Sequence, residues 1–409
     1  MTADKSVPQK DCPDIVSEEI SVNFGPQHPS THGVFRAILA LDGEQIVKCE
    51  SVIGYLHRCA EKTAENVTYV QFHPYTDRLD YIASMTNNWT YSMAVEKLYG
   101  DKMEIPERGE YLRVIIGELQ RIASHLLFFG TFSNDVGAVT PFLYGFRERE
   151  MCYTLFEELS GQRLNYNFIR VGGVLRDVTS DWITKAYNFL DWLMLKLPEY
   201  HDILTYNSIF LARTGKVGIM SEKTALDYAI TGPNLRVSGL AGSMCDRDLR
   251  RDEPYSLYKD LFEKKIFKVV NFDPTWQPVQ NGEVVIGDVW SRFFARMLEM
   301  EESAKIVRYC LDNLPGGADN KDKLAVNTKK YLKTVKPPAG EAYFAGENPR
   351  GELGFYIVSD GSEKAVRIKV RSPAFASVSV LPEIVKGYLV ADFIAILGSI
   401  DIVLGEIDR

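Results

Sequence analysis

Apolar residues follow two different rhythms along this chain, and the switches between them predict its elements. Over residues 20–53 the pattern is that of β-structure. Runs at 34–41 and 45–52 flank Asp42-Gly43, a dipeptide suited to the tight turn of a hairpin. From Tyr55 the pattern turns helical, with Arg58, Glu61, Lys62 and Glu65 on one side of a short helix, and Pro74 breaks the chain. A long helix is expected from about Thr76, because Leu79, Ile82, Thr86, Trp89 and Met93 recur at spacings of three and four before Gly100. Leu112, Ile115, Leu119, Ile122 and Leu126 form the apolar stripe of a further helix, with Glu118, Arg121 and His125 on another face. Helices expected at 145–160, 181–197 and 290–314 make the middle of the chain a helical bundle.

After Pro315-Gly316-Gly317 the composition shifts to a linker rich in Lys, Asn and Pro, ending at Pro337-Pro338. β-structure then returns at 351–359 and 365–372 around Asp360-Gly361-Ser362, followed by a short helix at 379–390 and an apolar tail. The expected class is α+β, a central helical bundle flanked by β regions at both ends. The expected divisions are an N-terminal arm (1–18), an N-terminal β region with a short helix (19–75), the bundle (76–317), a linker (318–338) and a C-terminal β region with a buried tail (339–409).

Composition narrows the function. The net charge of −8 argues against nucleic acid as a partner. Six cysteines are scattered with no Cys-x-x-Cys pair, so reduced thiols in a reducing compartment are expected. The first residues carry neither a secretory nor an arginine-rich targeting pattern. The most apolar stretch, 389–407, contains Asp392, Asp401 and Glu406 and is expected to be buried rather than to span a bilayer. No Gly-x-Gly-x-x-Gly or Walker pattern is present, so the chain is not expected to bind a nucleotide.

Candidate chemistry lies in four segments. Asn23 to Gly33 places His28 and His32 in a loop kept from helix by Pro26 and Pro29, where an imidazole could bind or deliver a proton near neutral pH. Gln71 to Tyr81 puts Arg78 and Tyr81 three apart. A tyrosine there is either part of a solvated first turn or a hydrogen-bond donor to a cavity; with an ordinary pKa of about 10 it releases its proton only to a very basic acceptor such as a doubly reduced quinone. Asp135 stands in a small-residue loop, as a helix cap or as a partner for a histidine. The last segment, 398–409, is apolar enough to be docked. No histidine pair has zinc-ligand spacing on a helix, and no metal site is expected of this chain.

Ordered motifs join these segments: GPQHPSTHG, GYLHRCAEKTAE, TDRLDY, ELQRIASHLLFFG, NDVGAVTPFLYGFRERE, IRVGGV, RGELGFYIVSDG and GSIDIVLGEIDR. Together, from about Val22 to Arg409, they resemble the 49-kDa (D) subunit of respiratory complex I. That family is similar to the large subunit of nickel–iron hydrogenases, and the resemblance implies a hydrogenase-large-subunit-like fold. Where hydrogenases hold nickel with two Cys-x-x-Cys pairs, this chain reads Gln71-Phe-His-Pro and Asp401-Ile-Val-Leu. A soft nickel site needs thiolates, so hydrogen chemistry is excluded on ligand grounds.

The resemblance implies a quinone-binding subunit of a proton-pumping NADH:quinone oxidoreductase, inactive alone. Quinone would be its substrate, reduced by electrons from an iron–sulfur cluster in the neighbouring small subunit (B). The 30-kDa subunit (C), the I subunit and the membrane-embedded H subunit are the other expected partners, and the cytoplasmic face of a bacterial inner membrane is the expected place. On the family's pattern His32 and Tyr81 bind the quinone headgroup and give protons, His28 lies in the same loop, and Asp135 pairs with His32. Arg78 and Arg58 lie near the cluster. Many members carry a histidine just before the IRVGG segment, where this chain has Asn165, which does not titrate. A cluster potential less dependent on pH is therefore expected, with a weak hint of a low-potential quinone such as menaquinone. A ferredoxin-fed relative of complex I, a membrane-bound hydrogenase subunit and a non-enzymatic scaffold are the alternatives; the missing cysteines oppose the second, and the joint presence of His32, Asp135, Arg78 and Tyr81 opposes the third.

Overall fold

A computed structural model describes residues 19–27, 33–239, 248–251, 256–273, 275–276 and 285–409. At the N-terminal end, β1 (Ile20–Phe24), β2 (Arg36–Asp42) and β3 (Gln45–Val52) form an antiparallel sheet in chain order. The expected hairpin closes at Gly43, whose φ of 61° would strain a residue with a Cβ. Along β2 the side chains of Ala37, Leu39 and Leu41 are buried in alternation, which fixes the face turned to the core.

The helical middle begins with α1 (Ala60–Asn66), α2 (Tyr69–Thr76), α3 (Ser84–Tyr99), α4 (Glu107–Asp135) and α5 (Val139–Ser160). A short hairpin of β4 (Ile169–Arg170) and β5 (Gly173–Val174) follows, then α6 (Ser180–Tyr200), α7 (Ser208–Thr214), α8 (Glu222–Asp227), α9 (Pro233–Arg236), α10 (Ser256–Glu263) and α11 (Val289–Asp312). Helix α4 is the axis, packed against α5 and α11. Its stripe of Leu112, Ile115, Leu119, Ile122 and Leu126 is fully buried. At Gly145 of α5 a Cβ would lie 2.8 Å from the Leu126 carbonyl oxygen, so glycine sets how closely these two helices approach.

The C-terminal end returns to β-structure as the antiparallel sheet β6 (Gly340–Asn348), β7 (Gly351–Ser359), β8 (Ala365–Arg371). Helices α12 (Pro373–Ile384), α13 (Val390–Ser399) and α14 (Leu404–Asp408) close the chain. The protein is α+β, with small antiparallel sheets toward both ends of a helical middle. No helix among the described residues is long and apolar enough to cross a membrane.

Three local expectations need correction. Thr76 does not start a helix; it ends α2, residues 77–83 form an irregular turn, and α3 starts at Ser84. Pro74 lies inside α2, where it removes one helical hydrogen bond; a capping box between Thr68 and Gln71 offsets that loss at the other end. The helix expected at 379–390 is instead two, α12 and α13. Ser372 accepts the Phe375 amide at 3.1 Å with Pro373 in the first helical position, so the first begins earlier than the apolar pattern indicated. The third correction is β6, a strand that periodicity missed. Residues 318–338, expected as a linker, lie against the bundle through Val174 N–H to Val326 O and Thr328 N–H to Gly172 O.

Candidate functional site: a cationic cavity beside a sealed charge cluster

The turn between α2 and α3 carries the candidate residues Arg78 and Tyr81, and α3 holds it in shape. Its carbonyls lack helical partners, so side chains take their place. The Asn87 amide donates to the Thr76 and Asp80 carbonyls at 3.0 and 2.9 Å, and the Ser84 hydroxyl donates to the Asp77 carbonyl at 2.9 Å. From the other side α14 presses on the turn. A Cβ on Gly405 would meet the Leu79 and Arg78 carbonyl oxygens at 2.7 and 2.9 Å, so only glycine permits this approach.

Where the turn meets the C-terminal tail, a cavity of about 670 Å³ opens to the surface. Its polar lining is Arg58, Arg78, Arg409, Tyr81 and Asn165, with Leu56, Pro74, Leu79 and Leu164 as apolar wall. Three guanidinium groups and no carboxylate line it among the described residues, so the cavity is positive. Arg78 is anchored by donating to the Pro74 carbonyl at 2.6 Å. Arg409 donates to Glu61 at 3.2 Å, and the tail is fastened by Asp408, whose carboxylate accepts the Gly54 and Leu56 amides at 2.8 and 2.7 Å. Burial raises the Tyr81 pKa, and neighbouring Asp80 adds to this while Arg350 opposes it. The phenol therefore holds its proton at neutral pH. Asn165 adopts a left-handed φ of 58°, and its buried Oδ1 has no hydrogen-bond partner among the described residues. The rim includes exposed apolar side chains, Leu56, Tyr75 and Leu164.

Behind the cavity wall is a second set of charges, fully enclosed. Arg350 donates to Asp80 at 2.7 Å, to Asp401 at 2.9 Å and to the Asp401 carbonyl at 2.9 Å. Arg296 stands 3.7 Å from the other oxygen of Asp401. Glu406 is completely buried in the same cluster, and burial, then Asp80, push its pKa up to about 8. Of the two alternatives for this segment, the solvated first turn does not hold, for Asp77 and Asp80 are both buried. Burial raises Asp77 to about 7, although Asn167, Asn88, Arg78 and Arg170 favour its charged form. Glu118, Arg121 and His125, spaced along α4, also turn inward; His125 meets Glu299 at 2.8 Å, and Glu299 also pairs with Arg236.

Four of the residues singled out in the sequence, Arg58, Arg78, Tyr81 and Asn165, thus meet in one cavity. Asp135 does not line it. It ends α4, half-buried against α13, where a Cβ on Gly398 would come within 3.3 Å of its carboxylate. His28 and His32 lie outside the described residues; Gly33, which follows them, packs toward Leu404 of α14. His73, in the Gln71-Phe-His-Pro segment, is a core histidine. Its ring nitrogens meet Asn167 and Ser92 at 2.9 and 3.1 Å, and burial lowers its pKa to about 3. Among the described residues no three His, Cys, Asp or Glu side chains converge as metal ligands. Sequence reasoning missed Arg350, Asp401 and Glu406 as a unit. Their motifs were visible, but nothing local showed that they face one another.

Comparison with known proteins shows the family. The family described as respiratory-chain NADH dehydrogenase, 49 Kd subunit, matches residues 135–409. A protein from Bacillus cereus, named as the D subunit of NADH-quinone oxidoreductase, is 48% identical over 394 residues, covering 96% of this chain and the whole of that relative. Proteins of the same name from Bacillus anthracis and Bacillus cytotoxicus are 48% and 46% identical over the same span. The chain belongs to the family of the 49-kDa subunit of respiratory-chain NADH dehydrogenase.

Proposed function

We propose that this chain forms one wall of the cavity in which a proton-translocating NADH:quinone oxidoreductase reduces quinone. The observation that carries the reading is the meeting of Tyr81 with Arg58, Arg78 and Asn165 in one open, positive cavity. Reducing a quinone to a quinol takes two electrons and two protons. The electrons would come from the iron–sulfur cluster of the small neighbouring subunit, for among the described residues no set of thiolates converges to hold one. Tyr81 supplies one proton: its phenol is kept neutral and breaks its O–H bond only toward a strongly basic oxyanion of the doubly reduced quinone. His32, with Asp135 as its carboxylate, supplies the second, and His28 helps to bind the headgroup. Arg78 and Arg58 favour electron arrival by offsetting negative charge near the cavity. The apolar rim suits closure by the small cluster-bearing subunit, with the 30-kDa subunit and the I and H subunits as further partners at the cytoplasmic face of the membrane.

The test is Tyr81→Phe in the assembled complex. The ring keeps its packing beside Gly405, so assembly and NADH oxidation by ferricyanide stay near wild type. Quinone reduction is expected to fall by about two orders of magnitude, the scale of a lost proton donor. Undiminished quinone reduction would remove Tyr81 from the headgroup.

A further inference from the structure

We propose that Asp80 and Glu406 share one proton across Arg350, and that this pair refills Tyr81 after it has given its proton to quinone. This rests on the role assigned to Tyr81 above, and it concerns residues that do not line the cavity.

Three carboxyl groups, Asp80, Asp401 and Glu406, surround a single guanidinium in a space closed to solvent. Arg350 satisfies Asp80 and Asp401 with direct hydrogen bonds at 2.7 and 2.9 Å. Arg296 gives Asp401 a second cation. Nothing comparable is available to Glu406. Neither of its oxygens has a well-formed hydrogen bond among the described residues. The charged groups facing it are Asp80, which repels its charged form, and Arg350 and Arg371, which attract it; the Ala374 amide in the first turn of α12 also favours charge. Burial outweighs them and favours the protonated form well above the ordinary carboxylate range. Asp80 is pushed the same way, by burial and then by Asp401, against the pull of Arg350. Asp80 and Glu406 are both buried around the one guanidinium of Arg350, which already serves Asp80 and Asp401 by direct hydrogen bonds, so the pair keeps one proton rather than carry two charges in low dielectric.

The position of the pair gives that proton a use. Tyr81 follows Asp80 directly in the turn, and its ring lies 3.4 Å from where a Cβ on Gly405 would stand, one residue before Glu406. Tyr81 therefore meets both segments that carry the pair. Its electrostatic surroundings already include Asp80 and Arg350. The step balances simply. Tyr81 loses its O–H proton to an oxyanion of the doubly reduced quinone and becomes a phenolate, one O–H bond of the carboxyl pair breaks, and a new O–H bond forms on the phenolate. No electron moves, and the added negative charge is left facing Arg350. Asp80 and Glu406 are positioning residues in this scheme, acting through Tyr81.

The experiment compares wild type, Glu406→Gln, Glu406→Asp and Tyr81→Phe in the assembled complex. Infrared difference spectra on quinone reduction should show the carbonyl stretch of a protonated carboxylic acid in wild type, sensitive to D2O. It should be absent in Glu406→Gln and displaced in Glu406→Asp. Quinone reduction in Glu406→Gln should fall about tenfold or more with ferricyanide activity unchanged. Its decline toward alkaline pH should differ from that of wild type. Wild-type rate and pH profile in Glu406→Gln, alongside a disabled Tyr81→Phe, would overturn this inference and leave the role of Tyr81 standing. Full activity in Tyr81→Phe would instead overturn the reading on which it rests. If Glu406→Gln does not assemble, the wild-type and Glu406→Asp spectra decide: no shifted carboxylic-acid band between them sinks the proposal.

Discussion

The two sides of one short turn differ more than any two distant parts of this molecule. Arg78 and Tyr81 face an open cavity, whereas Asp77 and Asp80, their immediate chain neighbours, are sealed inside. The C-terminal tail divides in the same way, with Gly405 and Arg409 on the cavity and Glu406 and Asp408 buried. In the turn and the tail, then, the cations face the cavity, while the carboxyls face inward to the buried Arg350 and Arg296 or to backbone amides. The outer charges are screened and replaceable. The inner ones are locked to one another, because any unpaired member is costly in low dielectric. An open, cation-lined cavity is set directly against a closed store of charge, with Tyr81 at the boundary.

The sharpest way to break this contrast is to remove the inner cation. Arg350→Met leaves Asp80, Asp401 and Glu406 without their shared partner and is expected to cost about 3–5 kcal/mol, the scale for breaking a buried ion pair. The expected outcome is loss of the assembled complex on a native gel. Arg350→Lys keeps the charge but cannot make the forked contacts to both aspartates, so partial assembly with lowered thermal stability is expected. Normal assembly of Arg350→Met would show that the cluster is not under the electrostatic tension described.

Gly405→Ala acts at the boundary itself. Its methyl would stand 2.7 Å from the Leu79 carbonyl oxygen, so the turn or α14 must move. Overpacking of this kind costs about 1–3 kcal/mol, which the complex can survive. Quinone reduction should suffer more than assembly, since Arg78 and Tyr81 shift together. A raised KM for quinone with ferricyanide activity intact would bear this out; unchanged KM and kcat would mean that the turn tolerates displacement.

How much of this was readable beforehand follows the same inside–outside division. The long helices and both hairpins could be read because each depends on residues close in sequence: the stripe of Leu112 to Leu126, the turn at Asp42-Gly43. The cavity residues Arg58, Arg78, Tyr81 and Asn165 were found because motifs marked them, and they do converge. What escaped depended on distant partners. Residues 77–83 look helical by apolar spacing, yet Asn87 and Ser84 claim their carbonyls and hold them as a turn. Arg350 pairs with an aspartate 270 residues away, and no local pattern carries that information. Glu406 sits in an apolar tail where a lone acid reads as an interruption, and only its enclosure with Asp80 and Arg350 gives it a role.

The gentlest probe of the contrast introduces a titrating group on the open side. Asn165 lines the cavity with a left-handed φ of 58°, and histidine is one of the few side chains enriched at such angles, so Asn165→His should fold as wild type. If the small subunit's cluster closes this side of the cavity, the new imidazole can gain a proton as the cluster gains an electron. The cluster's midpoint potential should then fall with rising pH, approaching about 59 mV per pH unit near the imidazole pKa for a fully coupled one-electron, one-proton change. The parent protein, with an asparagine there, should show a flatter dependence. A steep slope already present in the parent would assign the proton elsewhere. Asp77 would be the first group to examine, since burial brings its pKa to about 7 and Arg78 of the cavity wall lies beside it. The inner carboxyls would then be answering the same electron from behind the wall. An equally flat slope in Asn165→His would put the cluster beyond electrostatic reach of residue 165.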